Sequence, residues 1–152
     1  MTRAILTSGL IAALLVLFPA GRAFSSDRLS QDSSSVQNAC EQLLNIKCFA
    51  FGGVGYAGTT SPGEIAFRAM LASTNALVLF ETTLSHGTDE AKLYALCGIR
   101  RLDEKSFDAS AKALKEADRK VRTMSGCLVA EEKASVVIQR IADGAYDGYS
   151  KR

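Results

Sequence analysis

The residues of this chain that are best equipped for chemistry include a single histidine, His86. Ser85 precedes it, Asp89 follows it, and Glu81 lies about one helical turn earlier. A serine, a histidine and an acid are the groups of a hydrolase, but they must converge from different parts of a fold. Neighbours in a turn seldom do this, and a histidine near a helix C-terminus can simply bond to the last carbonyls. His86 is therefore a candidate catalytic residue with a competing structural explanation.

A glycine-rich segment, residues 49–60, is the second candidate for chemistry. Gly53, Gly55 and Gly58 match the G-x-G-x-x-G spacing of dinucleotide sites, which need a strand before the glycines and a helix directly after them. Pro62 and several loop residues intervene here, so we predict no cofactor. The backbone amides of the three glycines could instead form an anion-binding nest. The simplest interpretation is a short extended arm or tight hairpin, with glycines where the backbone packs closely against a helix.

Four cysteines permit three disulfide pairings. We predict that Cys40 pairs with Cys48, which would tie a first helix to the glycine-rich segment. We predict that Cys97 pairs with Cys127, because a helix before Cys127 is expected to return alongside the helix that carries Cys97. The alternative is four reduced, buried thiols. The cysteines and His86 lack the spacing of metal ligands, so no metal site is predicted.

The first 23 residues have the features of a signal peptide. Arg3 precedes a short apolar run at 10–18, Pro19 breaks this run, and Gly21-Arg22-Ala23 supplies the small residues of a cleavage site. The run is shorter than the roughly 20 apolar residues that a membrane span needs. We therefore expect a secreted or periplasmic protein that begins near Phe24 and has no membrane span after cleavage.

Removal of this segment changes the charge of the chain. Without Arg3 and Arg22, the 18 basic residues fall to 16, which equals the number of acidic residues. A neutral chain with no tryptophan offers no electrostatic attraction for nucleic acid. The basic residues between 112 and 122 are interleaved with acids and indicate a solvated helix face.

The apolar spacing predicts an all-α fold: a small bundle of four or five short helices with a non-helical insertion at 49–60. Residues 24–35 are polar and serine-rich, so we predict a disordered leader there and a single helical domain at 36–152. The predicted central helix spans 88–102 and is apolar on almost every side. Asp89 and Glu90 lie at its N-terminal end and Arg100 and Arg101 at its C-terminal end, as the helix dipole favours.

Other helices are placed around this one. A capping box begins the segment 62–85 at Ser61, and a polar triplet at 73–75 is expected to split that segment into two helices. A further helix, capped by Ser106 or Asp103, is predicted to run through Val121, and a last one from about Glu131 to Asp143. The glycines that follow the helices, Gly87 and Gly144, are expected to end them.

Asn75 to Leu114 resembles the paired helices of HEAT-like repeats. The likeness lies in two helices joined by a tight turn and in Ala-Lys-Leu-Tyr-Ala-Leu-Cys-Gly-Ile at 91–99. The whole pattern also resembles that of small secreted bacterial proteins. A HEAT-like module implies protein binding through a helical surface, although a solenoid usually needs three or more repeats.

Two classes of function follow from these patterns. The first is a non-enzymatic helical module that binds another protein or a component of the cell envelope. The second is a small extracytoplasmic hydrolase or lyase that uses His86 and a nearby acid. A deep pocket combining His86 with the glycine amides would favour the enzyme, and a convex packed surface would favour the binding module.

Overall fold

The computed structural model describes residues 26–150, so the predicted signal peptide lies outside the described residues. The fold is mostly helical, as predicted, but it also contains two small antiparallel sheets. In chain order, the elements are α1 (Ser26–Leu44), β1 (Gly53–Val54), β2 (Thr59–Thr60), α2 (Pro62–Leu71), α3 (Ala76–His86), α4 (Asp89–Leu102), α5 (Glu104–Glu116), β3 (Lys120–Ser125), β4 (Leu128–Lys133), α6 (Ala134–Ala142) and a 3-10 helix (Asp147–Ser150).

The predicted central helix, α4, forms the core of the domain. Thr88 caps it by accepting a hydrogen bond from the Ala91 amide, and seven of its residues are buried. Helix α3 packs against it very closely, because a Cβ atom placed on Gly98 would lie 2.3 Å from the ring of Phe80. Thr88 also donates from Oγ1 to the Ile46 carbonyl at 2.6 Å, which joins the segment after α1 to the start of α4.

Helices α2 and α3 confirm the predicted break in the segment 62–85. Ser61 Oγ accepts a hydrogen bond from the Glu64 amide, and Pro62 occupies the first turn, as the capping box requires. The helix then stops at Leu71, and Ser73 bonds to the side chain of Asn75 before α3 begins. These serine and asparagine side chains compete with the helical backbone for hydrogen bonds.

The number and the bounds of the helices differ from the prediction. Six α-helices occur between residues 26 and 150, rather than four or five. Helix α1 begins at Ser26, within the segment 24–35 for which a disordered leader is predicted. A mostly polar segment can be helical when an amphipathic helix follows it directly, because propagation adds one backbone hydrogen bond per residue.

The region 117–133 also differs from the prediction. Helix α5 ends at Glu116, and residues 120–133 form the antiparallel hairpin β3–β4 with a two-residue turn at Gly126 and Cys127. Val121 and Thr123 are buried, whereas Lys120 and Arg122 are exposed and Met124 is half-buried, which is the two-residue period of a strand. Because one stripe of a helix would also contain Val121, the helical spacing misassigned it. Helix α6 consequently begins at Ala134 rather than Glu131.

Candidate functional site

Residues 49–61 form the least regular part of the domain, and the buried hydroxyl of Tyr94 holds them in place. Ala50 donates its N–H to the Tyr94 hydroxyl at 2.8 Å, and that hydroxyl donates back to the Ala50 carbonyl at 2.6 Å. Ser61 Oγ donates to the same carbonyl at 2.6 Å. Burial raises the pKa of Tyr94 to about 12, so it stays a neutral donor and acceptor.

A buried carboxylate provides a second anchor for this segment. Glu64 is 1% exposed, and its Oε2 accepts the Gly52 N–H at 2.6 Å. The guanidinium of Arg68 pairs with Oε1 of the same carboxylate one helical turn away. A buried carboxylate needs such a partner and such hydrogen bonds to offset its desolvation. Glu64 therefore ties the start of the glycine-rich segment to α2.

Aromatic rings pack beneath the same segment. The ring of Phe51 contacts those of Phe67, Tyr94, Tyr146 and Tyr149, with centroids 5.1 to 5.4 Å apart. The two tyrosines belong to the C-terminal tail, which therefore folds back onto the core. Arg100 fixes that tail from α4, because its Nη1 lies 2.5 Å from Oδ1 of Asp147.

Two hairpins meet beside this anchor. The glycine hairpin, β1–β2 with its turn, spans 53–60, and the C-terminal hairpin, β3–β4, spans 120–133. Phe49 donates its N–H to the Arg122 carbonyl at 2.8 Å and accepts from the Met124 amide at 3.0 Å. Gly55 donates to the Gly126 carbonyl at 2.9 Å. The turns of the two hairpins therefore lie side by side.

Exposed apolar residues gather at these turns. Tyr56 is 102% exposed in the turn of the glycine hairpin, and Leu128 is 78% exposed directly after the turn of the C-terminal hairpin. Cys127, in the turn of the C-terminal hairpin, is also exposed. We call these three residues the tip surface. Among residues 34–149, no other large hydrophobic side chain reaches 60% exposure.

Two of the three glycine amides that could have formed an anion-binding nest are bonded within the protein. Gly55 donates to Gly126, Gly58 donates to the Gly55 carbonyl at 3.1 Å, and Gly53 belongs to the ladder with Thr60. Amides that are already bonded to carbonyls are not available to an anion. The dinucleotide spacing also lacks its context, since β1 leads into another strand and not into a helix.

His86 lies at the exposed C-terminal end of α3. Its Nδ1 is 3.1 Å from the Thr82 carbonyl, which is the structural role that the sequence allowed. Ser85 donates instead to the Glu81 carbonyl, and the Asp89 carboxylate pairs with Lys92 and Arg119. The Ser85 hydroxyl, the His86 ring and the Asp89 carboxylate are therefore bonded to other groups and not to one another.

The structure does not join the cysteines in the predicted pairs. No two of the four cysteines lie at disulfide distance. The prediction of a Cys97–Cys127 bond assumed a helix before Cys127, but a hairpin carries that residue out to an exposed turn. Cys97 stays on α4, where burial raises the pKa of its thiol. Cys40 and Cys48 flank the end of α1 and remain separate.

Apart from Cys97, the predicted site residues do not line the surface depression that the structure contains. A shallow depression exists beside the tail and is lined by Phe67, Cys97, Arg101, Ile141, Tyr146 and Asp147. It includes neither His86 nor a glycine of the hairpin. Within residues 26–150, no three His, Cys, Asp or Glu side chains come together as metal ligands. Across the same residues, no helix combines the length and the apolar character that crossing a membrane requires.

The sequence contains a local signal for each of the two large exposed residues of the tip surface. Tyr56 lies between Gly55 and Gly58, and this glycine-rich context is typical of a turn and not of a core face. Leu128 follows a Ser-Gly-Cys turn sequence, and Ser-Gly is a dipeptide typical of turns. A large apolar side chain in a turn is exposed unless another segment covers it.

Comparison of the chain with protein-family models, with curated proteins and with solved structures finds no match. The function must therefore be argued from the geometry of the domain alone.

Proposed function

We propose that this protein is a non-enzymatic binding module whose tip surface docks against another protein. The observation that carries the proposal is the exposure of Tyr56 and Leu128 at adjacent turns. Tyrosine combines a large apolar ring with a hydroxyl, which is why it is enriched at protein interfaces. Isolated exposed apolar residues need no explanation, but two on neighbouring turns form the beginning of an interaction patch.

The anchoring of the turns supports this proposal. Ala50 is fixed by Tyr94, Gly52 is fixed by Glu64, and Gly55 is bonded to the second hairpin. Contacts on a rigid support lose less conformational entropy on binding than contacts on a mobile loop. The buried polar network therefore has a function in the proposal: it holds the tip surface ready for a partner.

The proposal includes two expectations from the sequence: that the protein is exported and that two of its helices form a HEAT-like pair. We expect a secreted or periplasmic protein, so the partner is another extracytoplasmic protein or a protein of the cell envelope. The close pair of α3 and α4 is the part that resembles a HEAT-like unit. In this proposal the pair serves as the scaffold, and the hairpin turns rather than the helical faces make the contact.

The enzyme hypothesis has less support from the geometry. A general base needs a nucleophile within hydrogen-bond reach and a group that orients it. In the nearest arrangement, around His86, the Ser85 hydroxyl bonds to a main-chain carbonyl and the Asp89 carboxylate pairs with Lys92 and Arg119. No specific observation therefore favours a hydrolase or lyase as a second function.

The proposal is tested by capturing partners from an envelope extract of the cells that make the protein. The chain from Phe24 onward serves as bait in three forms: wild type, Tyr56→Ser and Ile65→Ser. Ile65 is a matched control, since it is also exposed, at 57%, but lies on α2. We expect one protein to be captured by the wild type and by Ile65→Ser, and to be depleted about tenfold or more with Tyr56→Ser. Equal capture by all three forms would contradict the proposal.

A further inference from the structure

The outer edge of β4 offers unused backbone hydrogen-bonding groups. Arg122 and Met124 direct their main-chain groups toward Phe49 on one side of β3. Backbone groups alternate along a strand, so Val121, Thr123 and Ser125 face β4. The register pairs these with Glu132, Ala130 and Leu128. The backbone groups of Val129 and Glu131 must therefore point away from β3.

No strand covers this edge within residues 26–150, because the sheet contains β3 and β4 alone and the isolated bridges lie on the β3 side. Val129 is 57% exposed, and Leu128 beside it is exposed as well. Exposed edge strands are templates for pairing with another chain unless charges, prolines or bulges protect them. The charged residues of β4 lie in its second half, at 131–133, which leaves its apolar first half unprotected.

We propose that β4 pairs with β4 of a second copy of this chain, antiparallel, about a two-fold axis through Ala130. Each Val129 then lies opposite Glu131 of the second copy, and the two residues exchange both of their backbone hydrogen bonds. Four hydrogen bonds form, and they use every outward group of Val129 and Glu131 in both copies. Two hairpins thereby become one four-stranded sheet.

The side chains on the edge favour this register over its neighbours. An axis through Glu131 would set two like charges directly opposite each other, which destabilises a strand pair. An axis through Val129 would place Glu131 opposite Cys127 in the turn, where strand geometry ends. The axis through Ala130 sets a small residue opposite itself at a position where strands approach most closely. A second copy is therefore complementary to the edge without any rearrangement.

The edge is short, so the dimer is a weak one whose population depends on concentration. It does not involve Tyr56, so it goes beyond the proposed binding function and can fail or hold independently of it. Tyr56 belongs to the glycine hairpin and so lies outside the paired strands. Dimerisation would thus hold two Tyr56 side chains in one particle and raise their effective concentration for a partner with two sites.

The test combines sedimentation equilibrium with amide hydrogen exchange over a range of protein concentrations. The wild type is expected to pass from monomer to dimer as its concentration rises. In step with this, the amides of Val129 and Glu131 become protected, whereas the Ala130 amide, bonded within the hairpin, is protected throughout. A monomer at every concentration would overturn the proposal, and so would fast exchange at Val129 and Glu131 in a dimer.

Three variants establish the register. Val129→Pro removes an outward donor without removing a hydrogen bond of the hairpin, and edge strands accept proline. It should raise the dimer dissociation constant about tenfold or more. Val129→Glu should act similarly by opposing Glu131 of the second copy, and the double variant Val129→Glu/Glu131→Lys should restore dimerisation. Val136→Glu on α6, with the same change in charge, is the control.

Circular dichroism confirms that each variant is folded before its dissociation constant is compared. If neither Val129→Pro nor Val129→Glu changed the dimer dissociation constant, the interface would lie elsewhere and the proposal would be refuted. Failure of the double variant to recover would refute the axis through Ala130. Tyr56→Ser should dimerise normally, which separates this result from the outcome of the partner capture.

Discussion

At the scale of single residues, Tyr94 and Glu64 organise the segment that carries Tyr56. Both are polar groups in the interior, and each is bonded to a backbone group of the segment 49–61. Buried polar groups cost free energy unless they are hydrogen-bonded, so each anchor holds only while the segment keeps its position. This mutual dependence gives the segment a single conformation despite its glycines.

We predict that Tyr94→Phe destabilises the domain by about 1–3 kcal/mol, because the buried Ala50 amide loses its acceptor. The phenylalanine ring keeps the aromatic packing, so the loss reports the hydroxyl alone. Tyr56→Phe removes the same group from a fully exposed ring and should change the free energy of unfolding by about 0.5 kcal/mol or less. Urea denaturation followed by circular dichroism measures both. Equal stability of the two variants would show that the Tyr94 hydroxyl is not an anchor.

At the scale of elements, the C-terminal hairpin is fastened to the next helix by Glu132. The Glu132 carboxylate accepts from the guanidinium of Arg140 on α6 and from Thr123 on β3, the latter at 2.7 Å. These hydrogen bonds, from Arg140 first and then Thr123, hold the pKa of Glu132 below its ordinary value. The strand pair and α6 are therefore linked by a group that responds to acid.

The pKa of Glu132 is lower in the folded than in the unfolded chain, so its stabilising contribution is complete above the ordinary glutamate pKa. It is lost as the pH falls through the lowered folded value. We predict that Glu132→Gln is less stable than the wild type at neutral pH and that the difference shrinks in acid. Glu131→Gln, one residue away at an exposed position, should keep the wild-type pH profile. Thermal melts from neutral to acidic pH test this, and a constant difference would contradict the linkage.

The elements also show how far the sequence could predict the fold. Ser61 with Glu64, and Thr88 before α4, are local signals that need no knowledge of the rest of the chain, and the helices they begin were predicted. The strands at 120–133 were missed because β3 is recognisable only once Phe49 and β4 pair with it. Strand pairing depends on residues distant in sequence, whereas helix capping does not.

The same contrast applies to the candidate site. Glycine and cysteine patterns suggested a nest and two disulfides, because both are defined by residue type. Whether the Gly55 amide is available depends on the carbonyl of Gly126, some seventy positions later. The tip surface arises from that same long-range contact. Residue type alone therefore gave the possible chemistry, and tertiary pairing decided which groups remained accessible.

At the scale of the whole molecule, the helices provide a core and the hairpins provide the surface. Helices α2, α3 and α4 enclose the aromatic rings, and the tail covers them through Tyr146 and Tyr149. The two hairpins extend from one side of this core and are bonded to each other at Gly126. In this account the domain is a rigid support that presents Tyr56 and Leu128 to a partner.

Site-specific photo-crosslinking in the cells that make the protein tests this account most directly. A photoreactive amino acid replaces either Tyr56 or Lys112, an exposed side chain on α5 that serves as the control. We predict that position 56 crosslinks to one other protein in high yield and that position 112 does not. No crosslink from position 56, or the same set of products from both positions, would contradict the claim that the tip surface binds a protein partner.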